Sequence, residues 1–390
     1  MLRLLTAGES HGPGQTVIID GLPAGLGVGA ESVNSDLARR QQGYGRGGRM
    51  KIETDQVTFR SGIRLGCTTG SPVAFTIDNR DYSHWEASMS PAAPAAGVEV
   101  PDVTLTRPRP GHADLAGALK LLTHDVRNVL ERASARHTAA RVAAGSIAKS
   151  LLAQYGIKIV GHVLAIGSVD AKPDTADLAA LQTTTDASPV RCADAAASEA
   201  MIALIDATRR QGDSLGGRVE VIAEGLPPGL GHFAEWDRRL DGRLARAVMS
   251  VPAIKAFEIG DGFAAGSARG SAVHDEIVYD AATKRYRRPT NHAGGIEGGM
   301  SNGERLIVHA VMKPIPTLAR PLRSVDLENH AAVDAGKERT DSVAVPACAV
   351  VCEAAVAWEL GVAFLERFGG DTLDEVTANY NRYLAALDGF

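Results

Sequence analysis

Four stretches, far apart in the chain, set a basic or titratable side chain among glycine, proline or serine. In GESHG, residues 8–12, His11 stands between small residues at the end of an expected strand. An imidazole changes charge near neutral pH and can serve as general acid or base, although a single loop histidine is equally consistent with a solvated side chain. In LARRQQGYGRGGRMK, residues 37–51, Arg39, Arg40, Arg46 and Arg49 are interleaved with glycines that let main chain approach a ligand closely. The same composition fits a flexible surface loop or a fragment of an RGG-type RNA-binding tract, but such tracts repeat and this one does not. In TRPRPGHAD, residues 106–114, two prolines stiffen the backbone around Arg107, Arg109 and His112. Stiffening is worthwhile where preorganised charge matters; a plain rigid turn is the alternative. The fourth stretch, ERASARHTAARVAAG, reads as helix, and Arg136 interrupts an apolar stripe through positions 129, 133, 140 and 147. A buried guanidinium cannot be left unpaired, so Arg136 needs an acidic neighbour or an anionic ligand.

The elements that must position these groups follow from periodicity. Residues 2–7, 15–19 and 73–77 read as short strands around a helix at 32–41, and residues 82–103 as an irregular excursion rich in Ala, Pro and Ser. A long helix is expected over 124–155, with Val126, Val129, Ala133, Ala140, Ile147 and Leu151 at three- or four-residue spacing and Gly156 as its C-cap. Strands are expected at 158–166 and 217–224, helices at 196–210 and 233–248, and a glycine-rich loop at 291–304. A second long apolar helix spans 343–368; Pro346 is tolerated only in a first turn, so the helix must start close by. The pattern is mixed α and β, an α+β chain with long helices. No linker divides it, which favours one large domain over residues 1–390; a weak internal duplication is compatible, but there is no strict repeat.

Composition narrows the function. With 390 residues, 45% hydrophobic and 22% charged, the chain can bury a large core, and an aromatic content of only 5% beside 42 glycines means packing by small side chains and close backbone approach. A formal net charge of −5 argues against a broad basic face for nucleic acid or membrane, so any basic function is local. The four cysteines, Cys67, Cys192, Cys348 and Cys352, are too scattered for a disulfide framework and read as buried reduced thiols. Neither a signal peptide nor an uninterrupted apolar run of ~18 residues is present, from which a soluble, cytoplasmic protein is expected.

GESHG, RRQQGYGRGGRMK, RPRPGHAD, RNVLERASAR, NHAGGIEGGMSNG, MKPIPT and RTDSVAVPA occur in this order over nearly the whole chain. In this the sequence resembles the chorismate synthases. The resemblance implies a β-α-β sandwich, with long central helices packed between antiparallel sheets, assembled as a homotetramer. It also implies a lyase of the shikimate pathway to the aromatic amino acids, eliminating phosphate from 5-enolpyruvylshikimate-3-phosphate in an anti-1,4 sense with reduced FMN as a catalytic, not stoichiometric, electron donor. Substrate contacts would come from Ser10, Arg40, Arg46, Arg49, Arg109 and Arg136, since the arginine fork grips carboxylate and phosphate bidentately. FMN contacts would come from Arg132, Ala133, Ser134, Pro252, Ala253, Gly298, Lys313, Pro314, Ile315, Pro316, Thr317 and Arg339.

Within that reading His11 protonates the departing phosphate, His112 neutralises charge on the reduced flavin, and Asp341 accepts a proton. Asp341 would stay ionised at the start of the second long helix, where an ordinary helix-start aspartate is the alternative. No metal is expected. His137 in SARHT departs from the glutamate of many family members, which leaves the partner of Arg136 open, and Pro252 removes a main-chain donor from VPAIK. Two other classes remain: a flavoprotein that reduces its own FMN with NADPH instead of relying on an external flavin reductase, and an RNA-binding protein using GYGRGGRMK.

Overall fold

The computed structural model describes residues 2–47, 54–336, 341–388 and 390. Gly14–Asp20 alternates, Val17 and Ile19 inward and Thr16, Ile18 and Asp20 outward, as a strand covered on one face must. It pairs with Arg3–Ala7 on one side and Val73–Asp78 on the other, and Val57–Ser61 completes a four-stranded antiparallel sheet. The second sheet is also antiparallel and runs in the order Ile254–Ile259, Leu306–Met312, Gly217–Glu224, Lys158–Ile166 and Val169–Asp170.

Three helices fill the space between. Thr138–Ala153 packs on Gly14–Asp20 of the first sheet and along Val345–Phe368, which lies against Lys158–Ile166 and Gly217–Glu224 of the second. Ala30–Gln41 touches both long helices and the strand Val57–Ser61. This is the expected sandwich, and one hydrophobic cluster runs through both sheets and the helices between them. Small residues set the spacing: a Cβ on Gly145 would meet Ala354 Cβ at 2.5 Å, and one on Gly161 would meet the Ala349 carbonyl oxygen at 2.5 Å. Val345–Phe368, with proline in its first turn as expected, is long and apolar enough to cross a membrane, yet 89% of its most apolar window is buried inside the protein.

Several expectations need correction. The helix expected over 124–155 is two helices, Arg127–Ala133 and Thr138–Ala153, parted by an extended Ser134 (ψ 144°) and a 3-10 turn, Ala135–His137. The serine hydroxyl accepts from the Arg136 N–H and so offers the chain a cap in place of a continuing helix. The helix expected from 233 begins only at Leu240, and the 291–304 loop contains a hairpin, Ile296–Glu297 with Met300–Ser301. Among the cysteines, Cys67 is exposed rather than buried.

Candidate active site

The break at Ser134 is the local feature from which the site grows. It lets the chain turn between two helices, so that Ser134 faces Ser10, to whose hydroxyl it donates at 3.1 Å, and Arg136 leaves the helical stripe on which periodicity had placed it. Arg136 is buried. Its Nη1 donates to Asp55 Oδ1 at 2.6 Å, its Nε to Asn79 Oδ1 at 2.7 Å and its Nη2 to the Asp78 carbonyl at 3.3 Å. Asp55 is thus the acidic neighbour this residue required. The same carboxylate serves Arg40 at 3.2 Å, while Arg40 Nε donates to Thr138 Oγ1 and Nη2 to the Ala135 carbonyl. One anion between two buried guanidiniums leaves a local positive surplus. Burial pulls Arg40 down to about 10; Asp55 opposes this, and the charges of Arg136 and Arg46 add to it.

His11 is held from behind by Glu131, which accepts its main-chain N–H at 2.7 Å and meets Nδ1 at 2.8 Å. Arg127 bonds the same carboxylate at 3.2 Å. Burial alone would raise the Glu131 carboxyl, but the bonds and charge of His11, with Arg127, hold it below the ordinary range. Trp85 closes one side, its ring centroid 4.3 Å from that of His11, and the Arg127 guanidinium lies 5.3 Å from the same indole.

The proline-stiffened stretch delivers the second histidine. Asp114, buried in the first turn of Asp114–Leu121, accepts from the Arg109 main chain at 3.0 Å and from its Nε at 2.8 Å, and pairs closely with His112 Nδ1. Burial opposes ionisation of Asp114, but His112 and Arg109 outweigh it and hold the carboxyl well below the usual range. Arg109 Nη1 reaches Thr317 Oγ1 at 2.9 Å, tying this segment to 313–317, and Lys313 Nζ donates to the Gly111 carbonyl. Asp341 Oδ2 pairs with Arg46 Nε at 3.0 Å and its Oδ1 accepts the Gly47 N–H at 2.6 Å. These contacts, not a helix N-terminus, position its carboxylate, because the long helix starts four residues later. Ala253 sits at φ +69°, a left-handed conformation costly for alanine, which turns Pro252 and Ala253 into the wall and lets the Ala253 carbonyl accept the Lys313 N–H at 2.9 Å.

All of these segments line one cavity of about 560 Å³. Among the described lining groups and their ion-pair partners, five fixed cations (Arg40, Arg46, Arg109, Arg136 and Lys313) face four carboxylates (Asp55, Asp114, Glu131 and Asp341). A cationic surplus beside Leu130, Ala133, Met312, Ile315 and Pro316 suits ligands that carry both anionic groups and a flat apolar body.

Comparison with known proteins gives this cavity its context. A family model described as chorismate synthase matches residues 2–365. The chorismate synthase of Symbiobacterium thermophilum is 55% identical over 389 residues, covering 99% of each chain, and that of Geobacter sulfurreducens is 54% identical over 396 residues, covering 100% of each. The chain belongs to the chorismate synthase family. A crystal structure of chorismate synthase superposes with a TM-score of 0.80 at 38% identity, covering 100% of this chain and 99% of that one. The expected sandwich fold and the lyase function of the family therefore hold.

Of the residues expected at a chorismate synthase site, Ser10, His11, Arg40, Arg46, Arg109, His112, Ala133, Ser134, Arg136, Pro252, Ala253, Lys313, Ile315, Pro316, Thr317 and Asp341 line the cavity. Three do not. Arg132 is exposed, its guanidinium donating to the Thr6 and Gly8 carbonyls beside the His11 loop. Pro314 is exposed between two lining residues. Gly298 is exposed at the turn of the 296–301 hairpin, where its φ of +58° serves the turn and not the cavity wall. Arg49 and Arg339 lie outside the described residues. His137 is no ion-pair partner of Arg136: its Nδ1 meets the Ser134 carbonyl at 2.7 Å, and burial, with Arg132, Arg141 and Arg40 nearby, lowers its basicity despite that bond.

Sequence reasoning missed Asp55, Asn79, Trp85, Asp114 and Glu131. Asp114 and Glu131 sit inside quoted motifs, within five residues of Arg109 and Arg127 respectively, and the need for buried carboxylates could have found them, although the pairing of Glu131 with His11 spans 120 residues. Asp55, Asn79 and Trp85 carry no local signal.

Proposed function

We propose that this cavity binds 5-enolpyruvylshikimate-3-phosphate together with reduced FMN and expels phosphate to give chorismate. The observation that carries the reading is the convergence of four arginines, a lysine and two carboxylate-backed histidines on one cavity, a cationic surplus. A substrate with two carboxylates and a phosphate needs such a surplus, and Arg40, Arg46, Arg109 and Arg136, with Ser10, are placed to grip it. Arg49 joins them through its motif.

With Nδ1 of His11 turned to Glu131, proton donation to the departing phosphate falls to Nε2, a contribution of ~10²–10⁴-fold in rate. Asp114 holds His112 at Nδ1, so that His112 presents Nε2 to the cavity, where it would neutralise charge on the reduced flavin. Asp341 accepts at a carboxylate oxygen the proton that the ring finally gives up. Lys313, Ile315, Pro316, Thr317, Pro252, Ala253, Ala133 and Ser134 would hold the flavin; the neighbouring Ala, Ile and Pro side chains suit its ring and Lys313 its phosphate. Reduced FMN supplies, when bound, an electron that is lent and returned, so the net reaction is neither oxidation nor reduction.

We further take the protein to be a cytoplasmic homotetramer served by an external flavin reductase. Arg39, Arg40 and Arg46 are each ion-paired to a carboxylate, which disfavours reading their segment as an RNA-binding tract.

The test is anaerobic turnover with pre-reduced FMN. Wild-type protein should release chorismate and phosphate in equal amounts, and His11→Ala and His112→Ala should each be slowed at least about tenfold while FMN still binds. Wild-type rates in both variants would remove the histidines from the mechanism. NADPH consumption by the pure protein with FMN would show a reductase activity of its own.

A further inference from the structure

The strand Val73–Asp78 ends against Arg136, which lines the cavity, and the next residue, Asn79, is buried with no charged function of its own. Its amide nitrogen donates to the carbonyls of Gly12 at 2.7 Å, Glu9 at 3.1 Å and Ser10 at 3.3 Å, which bracket His11. Its amide oxygen accepts from Arg136 Nε at 2.7 Å. The partners fix the orientation: carbonyls demand the nitrogen, the guanidinium demands the oxygen. Its main chain is also engaged, the N–H with the Pro13 carbonyl at 3.0 Å and the carbonyl with the Tyr82 N–H at 3.1 Å. The latter opens the 3-10 turn Arg80–His84, after which Trp85 stands against the His11 ring.

We propose that Asn79 is a positioning residue that sets the His11 loop and Arg136 in register with each other. The proposal rests on the reading of His11 as general acid and of Arg136 as a substrate contact. A loop with three carbonyls pointing at one place has no intrinsic reason to hold its shape, and a buried guanidinium can pivot about its single carboxylate. One amide ties both, so the proton donor and the anion-binding fork keep a fixed separation. Aspartate in its place would repel the three carbonyls and draw the charge of Arg136 toward itself. An apolar residue would remove the tie between them, leaving His11 to Glu131 and Arg136 to Asp55 and the Asp78 carbonyl.

The experiment is a double-mutant cycle with pre-reduced FMN under anaerobic conditions. Asn79→Ala should lower kcat at least about tenfold and raise the substrate KM several-fold, while the FMN dissociation constant stays within about twofold of wild type. In a His11→Ala background the same change should cost less than about twofold in kcat, because the group it positions is gone. A full multiplicative loss in that background marks a general structural effect and overturns the proposal, as does an Asn79→Ala variant with wild-type kcat beside a slow His11→Ala. If His11→Ala itself turns over normally, the reading of His11 fails and the proposal falls with it. Should Asn79→Ala not fold, the isosteric Asn79→Asp reads the same cycle, with a larger rise in KM expected from its pull on Arg136.

Discussion

Glu131 holds His11 twice, accepting the main-chain N–H with one carboxylate oxygen at 2.7 Å and meeting Nδ1 with the other at 2.8 Å. Both oxygens are committed, and Arg127 shares one of them at 3.2 Å. Glutamine has the same shape but a single acceptor oxygen, so Glu131→Gln must set an NH₂ group against one of these donors. The variant should lose at least about tenfold in kcat with little change in substrate KM, since the anion contacts are elsewhere. An unaltered kcat would show that the carboxylate is a structural anchor only.

Arg136 uses Nε, Nη1 and Nη2 on three different acceptors, a task for a planar fork. Lysine keeps the charge but has one ammonium on a flexible stem. Arg136→Lys should therefore raise the substrate KM at least about tenfold while reduced FMN binds as before, measured by steady-state kinetics and flavin titration. A KM equal to that of wild type would mean that this guanidinium serves Asp55, Asn79 and the Asp78 carbonyl and nothing else.

How much of this was readable in advance depends on the range of the interaction concerned. Lys158–Ile166 and Gly217–Glu224 were legible to the residue because a strand packed between layers shows its apolar run locally. Arg40, Arg46, Arg109 and Lys313 were legible because each sits in a stiff or glycine-rich motif, and Arg136 because it interrupts an apolar stripe. The break at Ser134 was not: Val129, Ala133, Ala140 and Ile147 keep helical spacing across it, and the competing side-chain bond from Ser134 to the Arg136 N–H leaves no trace in the apolar pattern. Asp55 and Asn79 were invisible for another reason. Their partner Arg136 lies 81 and 57 residues away, and only the assembled sandwich brings them together.

A second buried carboxylate offers a test of charge in the fold itself. Across the outer sheet His162, Glu220 and His309 are register neighbours, and Glu220 meets His162 Nε2 at 2.8 Å and His309 Nε2 at 2.7 Å. Burial would raise the carboxyl above its ordinary 4.5, but the two imidazoles hold it at about 2. A depressed folded value means that ionised Glu220 stabilises the protein above about pH 4.5 and that this contribution disappears as pH falls through about 2. At ~1.4 kcal/mol for each pH unit it amounts to roughly 3 kcal/mol. Glu220→Gln should flatten the fall of Tm between about pH 4.5 and pH 2; a slope equal to that of wild type would dismiss the ion-paired cluster as a source of acid sensitivity.

The last prediction concerns the helix pair that carries the site. Thr138–Ala153 and Val345–Phe368 approach so closely at Gly145 that an added Cβ would stand 2.5 Å from the Ala354 Cβ and carbonyl oxygen and 2.6 Å from its Cα. None of these atoms can rotate away, since all belong to a helix backbone or its first side-chain carbon. Gly145→Ala must therefore push the helices apart, at a cost of about 1–3 kcal/mol that exceeds alanine's better helix propensity of ~1 kcal/mol. Gly361, on the partner helix, is less confined: its added Cβ would meet only Ala148, 3.2 Å away at Cβ. A shift of a few tenths of an ångström relieves that contact, so Gly361→Ala should be close to neutral. Denaturant midpoints of the two variants should separate accordingly, Gly145→Ala well below wild type and Gly361→Ala beside it. Since Thr138, in the first turn of the helix displaced, bonds Arg40 Nε at 2.9 Å, Gly145→Ala should also weaken substrate binding. Equal midpoints for the two variants would show that the helices yield at Gly145 as readily as at Gly361, and that close backbone approach does not set the spacing of the sandwich.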